Sequence, residues 1–193
     1  MVTETEQTVL IVSSSEKSAE FIRKNPGAAV KAFVASSGGE ARRMLAEREY
    51  NAVVINAPLK DETGEELAEN VIKDTYAGVL LLVKAEAYEA AAFAAEKFGA
   101  FCLPKPISAQ AFAQAMRLTL AANARVKLLM KKTQSLKEKM EEIKLISRAK
   151  LLLVTKLSFT EAEAHRYIEK QAMDRCVKKS AVAYDVIKNY GDR

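Results

Sequence analysis

The chain has 193 residues, with 30 Lys/Arg, 25 Asp/Glu, one His and two Cys. That length holds one large domain or two small ones, and 49% apolar residues suffice for a packed core and exclude wholesale disorder. A lone His165 excludes a His-based metal site or a Ser-His-Asp triad, and Cys102 and Cys176 are too few and too distant for a metal ribbon or a disulfide framework.

No run approaches the ~18 apolar residues of a membrane-spanning helix. The polar, acidic start MVTETEQ lacks the pattern of a secretory leader, so the cytoplasm is the expected location.

Short apolar runs at 8–12, 51–56 and 79–83 predict strands buried on both faces, as in a parallel sheet. Weaker strand patterns lie at 29–34 and 100–103. Amphipathic segments at 15–24, 39–48, 64–73 and 87–98 alternate with them. Pro26-Gly27, Gly38-Gly39, Gly64, Gly78 and Gly99 punctuate the joins. Five β-α units predict a doubly wound, five-stranded parallel α/β domain over 1–121, with its working site at the C-terminal strand ends.

Residues 108–157 contain neither Gly nor Pro and predict a long helix. Within it Val126, Thr133, Met140 and Ser147 fall at heptad a positions, and Leu129, Leu136 and Ile143 at d. This alternating spacing predicts a coiled-coil linker over 122–147 and a parallel homodimer, with Val126, Leu129, Leu136, Met140 and Ile143 as its apolar seam. Packing of the helix on its own domain is the alternative.

Beyond it, Thr160 with Glu163 has the capping-box spacing, and Ala164, Tyr167, Ile168, Gln171 and Ala172 follow at helical spacing. Tyr167 is expected in the core, and Met173 beside Ala172 in helix packing. Ala181, Val182, Asp185 and Val186 mark a third helix over about 178–189, and Gly191 stands where it should stop.

Charge is uneven. Residues 1–123 hold 13 Lys/Arg against 16 Asp/Glu, and residues 124–193 hold 17 against 9. The basic end suggests a polyanionic partner, or else solvated helix faces.

The first 121 residues resemble a response-regulator receiver domain. Lys105-Pro106 follows the fifth strand as in receivers, and Gly64 lies eight residues after Asn56. The receiver's acid pair, nucleophilic aspartate and Thr/Ser are replaced by Ser13 and Ser14, Asn56 and Val83. Mg²⁺ binds neutral hydroxyls poorly and an amide is no nucleophile, so this resemblance implies a degenerate phosphorylation site made of Ser13, Ser14, Asn56, Val83 and Lys105. Such a pseudo-receiver would serve protein interaction or dimerisation. Lys105 would bond to a carbonyl or to Asn56; the competing idea is that Asn56 deamidates or that Asp61, five residues on in the loop, substitutes.

Residues 146–187 resemble the ANTAR domain, a three-helix RNA-binding module. The matching residues are Ala149-Lys150, Ala164, Ala172-Met173 and Val182-Ala183, with Leu151 where Gly is usual. The whole arrangement is similar to the antitermination regulators of aliphatic-amidase and ethanolamine-utilisation genes, with the ANTAR domain over 148–193. The resemblance implies binding of paired leader-RNA hairpins by a dimer.

Arg148, Lys150, Lys156, Arg166, Lys170 and Arg175 are the expected RNA face, with Lys178 and Lys179 as outer phosphate contacts. Tyr167, Tyr184 and Tyr190 are candidates for base stacking. A regulatory protein or ligand is a further possible partner at the pseudo-receiver. No cofactor and no enzymatic activity are expected. A DNA-binding response regulator and a dimeric scaffold are the alternatives.

Overall fold

The computed structural model describes residues 7–25 and 30–191. The Pro26-Gly27 join, Ala29 at the start of the second strand pattern, and residues 1–6 lie outside the described residues. The chain divides into two compact units, Met1–Leu129 and Met130–Arg193.

In the first unit, β1 (Gln7–Ser13), β2 (Val30–Ala35), β3 (Ala52–Asn56), β4 (Gly78–Lys84) and β5 (Phe101–Lys105) alternate with α1 (Glu16–Lys24), α2 (Gly38–Glu47), α3 (Glu65–Asp74) and α4 (Tyr88–Phe98). The sheet is parallel throughout, in the order β2-β1-β3-β4-β5. Strand side chains alternate between two apolar layers, which is why β1, β3 and β4 read as unbroken apolar runs. Leu10, Val12, Val53, Ile55 and Leu81 pack with Ala41, Leu67, Val71, Ala91 and Ala95 of α2, α3 and α4. Val9, Ile11, Val54, Leu80 and Leu82 pack with Ile22 of α1 and with Phe112, Met116 and Leu120 of the next helix.

That helix, α5, runs Ala109–Leu157 without interruption. Its first part belongs to the receiver-like unit beyond the expected boundary at 121. Asn123 is buried; its side-chain amide donates to the Tyr76 carbonyl, and its Oδ1 accepts from Asn51 Nδ2 at 3.3 Å. Asn51 Oδ1 in turn accepts from the Thr8 N–H at 2.8 Å, tying α5 to the N-terminal strand ends. Gly78 is required here, because a Cβ would lie 2.6 Å from the Thr119 carbonyl oxygen.

In the second unit the end of α5 packs with α6 (Glu161–Asp174) and α7 (Lys179–Tyr190). Ala149, Leu153, Ala164, Ile168, Ala172, Val182, Ala183 and Val186 form its buried core. The Thr160–Glu163 capping box is present.

Two apolar assignments are corrected. Tyr167 is 36% exposed and stacks edge-on against Phe159, with ring centroids 5.8 Å apart, rather than filling the core. Met173 is 77% exposed; successive helix residues point about 100° apart, so burying Ala172 turns Met173 outward. Ala181 is exposed for the same reason, with Val182 and Ala183 facing the core. Leu151 is also exposed, so its departure from Gly crowds no helix contact; the neighbouring Ala149 makes that contact.

Candidate functional site

Two surfaces carry the chemistry-bearing residues, one in each unit. In the first, the chain order reverses between β1 and β3, and their C-terminal ends flank the crevice where ligands of such sheets bind. Ser13 closes β1, Asn56 closes β3 and Lys105 closes β5. The register pairs Ser13 with Asn56 and Lys84 with Lys105.

Ser13 and Asn56 are buried, at 4% and 8% exposure. Asn56 Nδ2 donates to Ser13 Oγ at 3.1 Å, and Ser13 Oγ donates to the Ser15 carbonyl at 3.0 Å. Lys105 Nζ donates to Asn56 Oδ1 at 2.9 Å and to the Ala57 carbonyl. Lysine has no acceptor, so the amide oxygen must face it and the amide nitrogen must face the serine. Both bonds anticipated for Lys105 are therefore present together. Burial, and secondarily the Lys84 charge, lowers the Lys105 pKa. Val83 is buried, and Ser14 Oγ is buried with no hydrogen-bond partner among the described residues.

Asp61 does not reach this cluster. Its two carboxylate oxygens accept from the Gly38 and Gly39 N–H groups, both at 2.9 Å, at the start of α2. Those bonds hold its pKa below the usual carboxylate value. The neighbouring Glu62 makes a bidentate pair with Arg42, at 2.6 and 2.9 Å. Gly38 leaves room for that pair, since a Cβ there would meet Glu62 Oε1 at 1.6 Å. The β3–α3 loop is thus pinned to α2. Cys102, half-buried in β5, has its thiol pushed up to about 11, first by burial and then by Glu65, which keeps it protonated at neutral pH.

In the second unit the expected RNA-binding residues divide by partner. Lys150 pairs with Glu161 at 2.9 Å, Arg175 with Asp185 at 2.8 Å and Lys179 with Glu169 at 2.5 Å. Each pair joins two helices or a helix and its flanking turn. Arg148, Arg166, Lys170 and Lys178 are exposed and carry no ion pair among the described residues. Lys156 is also exposed. Arg148 and Lys150 lie two residues apart and point to opposite flanks of α5, so the eight residues do not share one face. Arg166, Lys170 and the exposed Met173 do align on α6, opposite the buried Ala164, Ile168 and Ala172. Tyr184 is exposed on α7, as is Tyr190 at its end. His165 contacts Glu169 at 3.3 Å. Met173 escaped the sequence reading because its apolar character spoke only for burial.

The seam residues Val126, Leu129, Leu136, Met140 and Ile143 are between 41% and 63% exposed. No group of three or more His, Cys, Asp or Glu among the described residues could hold a metal ion, and no helix among them is long and apolar enough to cross a membrane.

Comparison with known proteins agrees with both units. Residues 134–187 match the ANTAR domain, beginning twelve residues before the stretch recognised from sequence. The chain is 26% identical over 157 residues to the transcriptional regulatory protein PdtaR of Mycobacterium tuberculosis, covering 81% of this chain and 77% of that protein. It resembles the signal receiver domain of an HD domain-containing protein from Pseudomonas fluorescens Pf-5, with TM-score 0.59, 20% identity, and coverage of 66% of this chain and 96% of that one. A response regulator receiver domain protein from Clostridium thermocellum gives TM-score 0.54 and 23% identity, over 64% and 98% of the two chains. These two likenesses establish the fold of the first unit. The chain therefore pairs a receiver-fold first unit with a stretch, residues 134–187, that matches the ANTAR domain, and it is similar to a transcriptional regulatory protein.

Proposed function

We propose that the protein is a cytoplasmic dimer that binds paired hairpins in nascent leader RNA, stabilising an antiterminator, and that its receiver-fold domain is not phosphorylated at Asn56. The ANTAR match over 134–187, on a unit whose exposed Arg148, Arg166, Lys170 and Lys178 have no carboxylate partner among the described residues, carries the reading. Unpaired cations are free to displace counterions from phosphates, which supplies affinity and its salt dependence. Hairpin loops offer unstacked bases to Tyr184 and Met173, which are both exposed. The heptad seam along α5 supports the dimer, because exposed Leu136, Met140 and Ile143 would gain burial against a partner helix. A dimer presents two RNA-binding modules, and the second contact gains effective concentration.

A gel shift tests the first part. Hairpin RNA should bind more tightly than a duplex DNA of the same sequence, with affinity falling steeply as salt rises. Equal or tighter DNA binding would favour the DNA-binding response regulator, and binding to neither would favour the scaffold.

The phosphorylation claim has its own test. Ser13, Ser14 and Asn56 supply neither a carboxylate for Mg²⁺ nor a carboxylate nucleophile. Incubation with acetyl phosphate and Mg²⁺ should leave the intact mass unchanged. A phosphoryl adduct mapped to the 56–61 segment would refute it.

A further inference from the structure

A groove of about 290 Å³ opens beside the Ser13–Asn56–Lys105 cluster. Lys17, Ser18, Phe21 and Ile22 of α1 form one side. Leu82, Asn56, Lys105, Pro106 and Ile107 form the other. Its volume sits at the lower edge of the range usual for small-molecule sites. The chemistry of its lining is one-sided. Phe21, Ile22, Leu82 and Ile107 are apolar, Lys17 and Lys105 are cationic, and no lining residue is a carboxylate.

Lys105 is the informative member. An ammonium has three N–H donors. One goes to Asn56 Oδ1 and one to the Ala57 carbonyl, leaving a third without a partner among the described residues. Both acceptors are neutral, so a half-buried positive charge has no ion-pair partner among the described residues. Lys84, facing Lys105 across the β4–β5 register, adds to the positive field. In a receiver that cation would face an acid cluster; here it faces a groove.

We propose that this groove binds a small organic monoanion, a carboxylate carried on an apolar body, with Lys105 as the anion contact and the Phe21–Leu82–Ile107 surface holding the body. A carboxylate fits better than a phosphate. One spare lysine donor and the Lys17 rim suit a single negative charge, whereas a phosphoryl group carries about 1.5 to 2 charges and three acceptor oxygens. No arginine lines the groove to supply a bidentate clamp. The assignment does not depend on what the C-terminal helices bind.

The test uses the full chain, isotope-labelled for amide NMR and free of RNA. Phenylacetate, octanoate, phenyl phosphate and phenylacetamide are titrated in turn. Phenylacetate or octanoate should shift the amides of Lys17–Ile22 and Lys105–Ile107 saturably, and phenylacetamide should not. Lys105→Gln keeps two side-chain donors for Asn56 and Ala57 but removes the charge, and should weaken carboxylate binding about tenfold or more. Ser18→Glu adds a carboxylate to the half-buried wall and should weaken it similarly, which keeps the test open should Lys105→Gln fail to fold. No shift with either carboxylate, equal binding of phenylacetamide, or undiminished binding by a folded Lys105→Gln and by Ser18→Glu would overturn the site. Tighter binding of phenyl phosphate would overturn its assignment to a monoanion. Because the readout lies in the first unit, any of these failures leaves the RNA reading untouched.

Discussion

A Leu136→Lys/Ile143→Lys double variant is expected to be monomeric at concentrations where the native chain is a dimer, and to bind a two-hairpin RNA about 10²–10⁴ times more weakly. Both residues occupy d positions of the heptad, and both are more than 60% exposed in the protomer. Lysine there sets like charges face to face across a two-helix seam and removes two of its five apolar knobs. Neither side chain belongs to the buried core of the second unit, which consists of Ala149, Leu153 and their partners on α6 and α7. Helical content should therefore persist, and binding to a single hairpin should change little. Light scattering reads the mass, and paired gel shifts with one- and two-hairpin RNA read the avidity. A native chain that is monomeric throughout the micromolar range would end the paired-helix account; equal losses on the two RNAs would mean that the variant damages the binding surface itself.

The sheet was legible because parallel strands covered on both faces leave an unmistakable trace. β1, β3 and β4 appear as apolar runs with almost no polar interruption, and the predicted spans differ from the observed ones by a residue or two. β5 was fainter because it is an edge strand of only Phe101–Lys105, more exposed than its neighbours. The degenerate site followed from the resemblance to a receiver domain, and the parallel sheet sets the ends of β1, β3 and β5 along one edge. The Lys105 bonds to Asn56 and a carbonyl were anticipated, but the bond from Asn56 to Ser13 was not, because the orientation of the Asn56 amide is decided by Lys105, 49 residues away.

On the second unit the helices and their cap were readable from local spacing. The ionic pairing was hidden: Lys150 meets Glu161 and Lys179 meets Glu169 across turns, at separations of 11 and 10 residues that no helical repeat predicts. A basic residue count cannot tell cations that staple helices from cations open to a phosphate. Exposed ion pairs of this kind contribute little to stability, so Lys150, Arg175 and Lys179 are not withdrawn from RNA at great cost. Arg148, Arg166, Lys170 and Lys178 start with the advantage of having no ion pair to break among the described residues.

The second large effect concerns the second unit's own core. Leu153→Ala should destabilise it by about 2–5 kcal/mol, the range for a buried leucine whose cavity is only partly refilled. Leu153 is fully buried, surrounded by Ala149, Ala164, Ile168, Val182, Ala183 and Val186. Several of these neighbours are alanines, which have no longer side chain to swing into the space, so the upper part of that range is expected. Such a loss is comparable to the whole stability of a small domain, and hairpin binding should fail with it. Leu151→Ala is the control, because the same side chain two positions earlier is 62% exposed and its removal should shift stability by no more than about 0.5 kcal/mol. Urea titrations followed by far-UV circular dichroism give both values. Equal and small effects at the two positions would mean that the end of α5 does not pack on α6 and α7. The exposed Arg166–Lys170–Met173 stripe would then have no fixed platform from which to meet RNA.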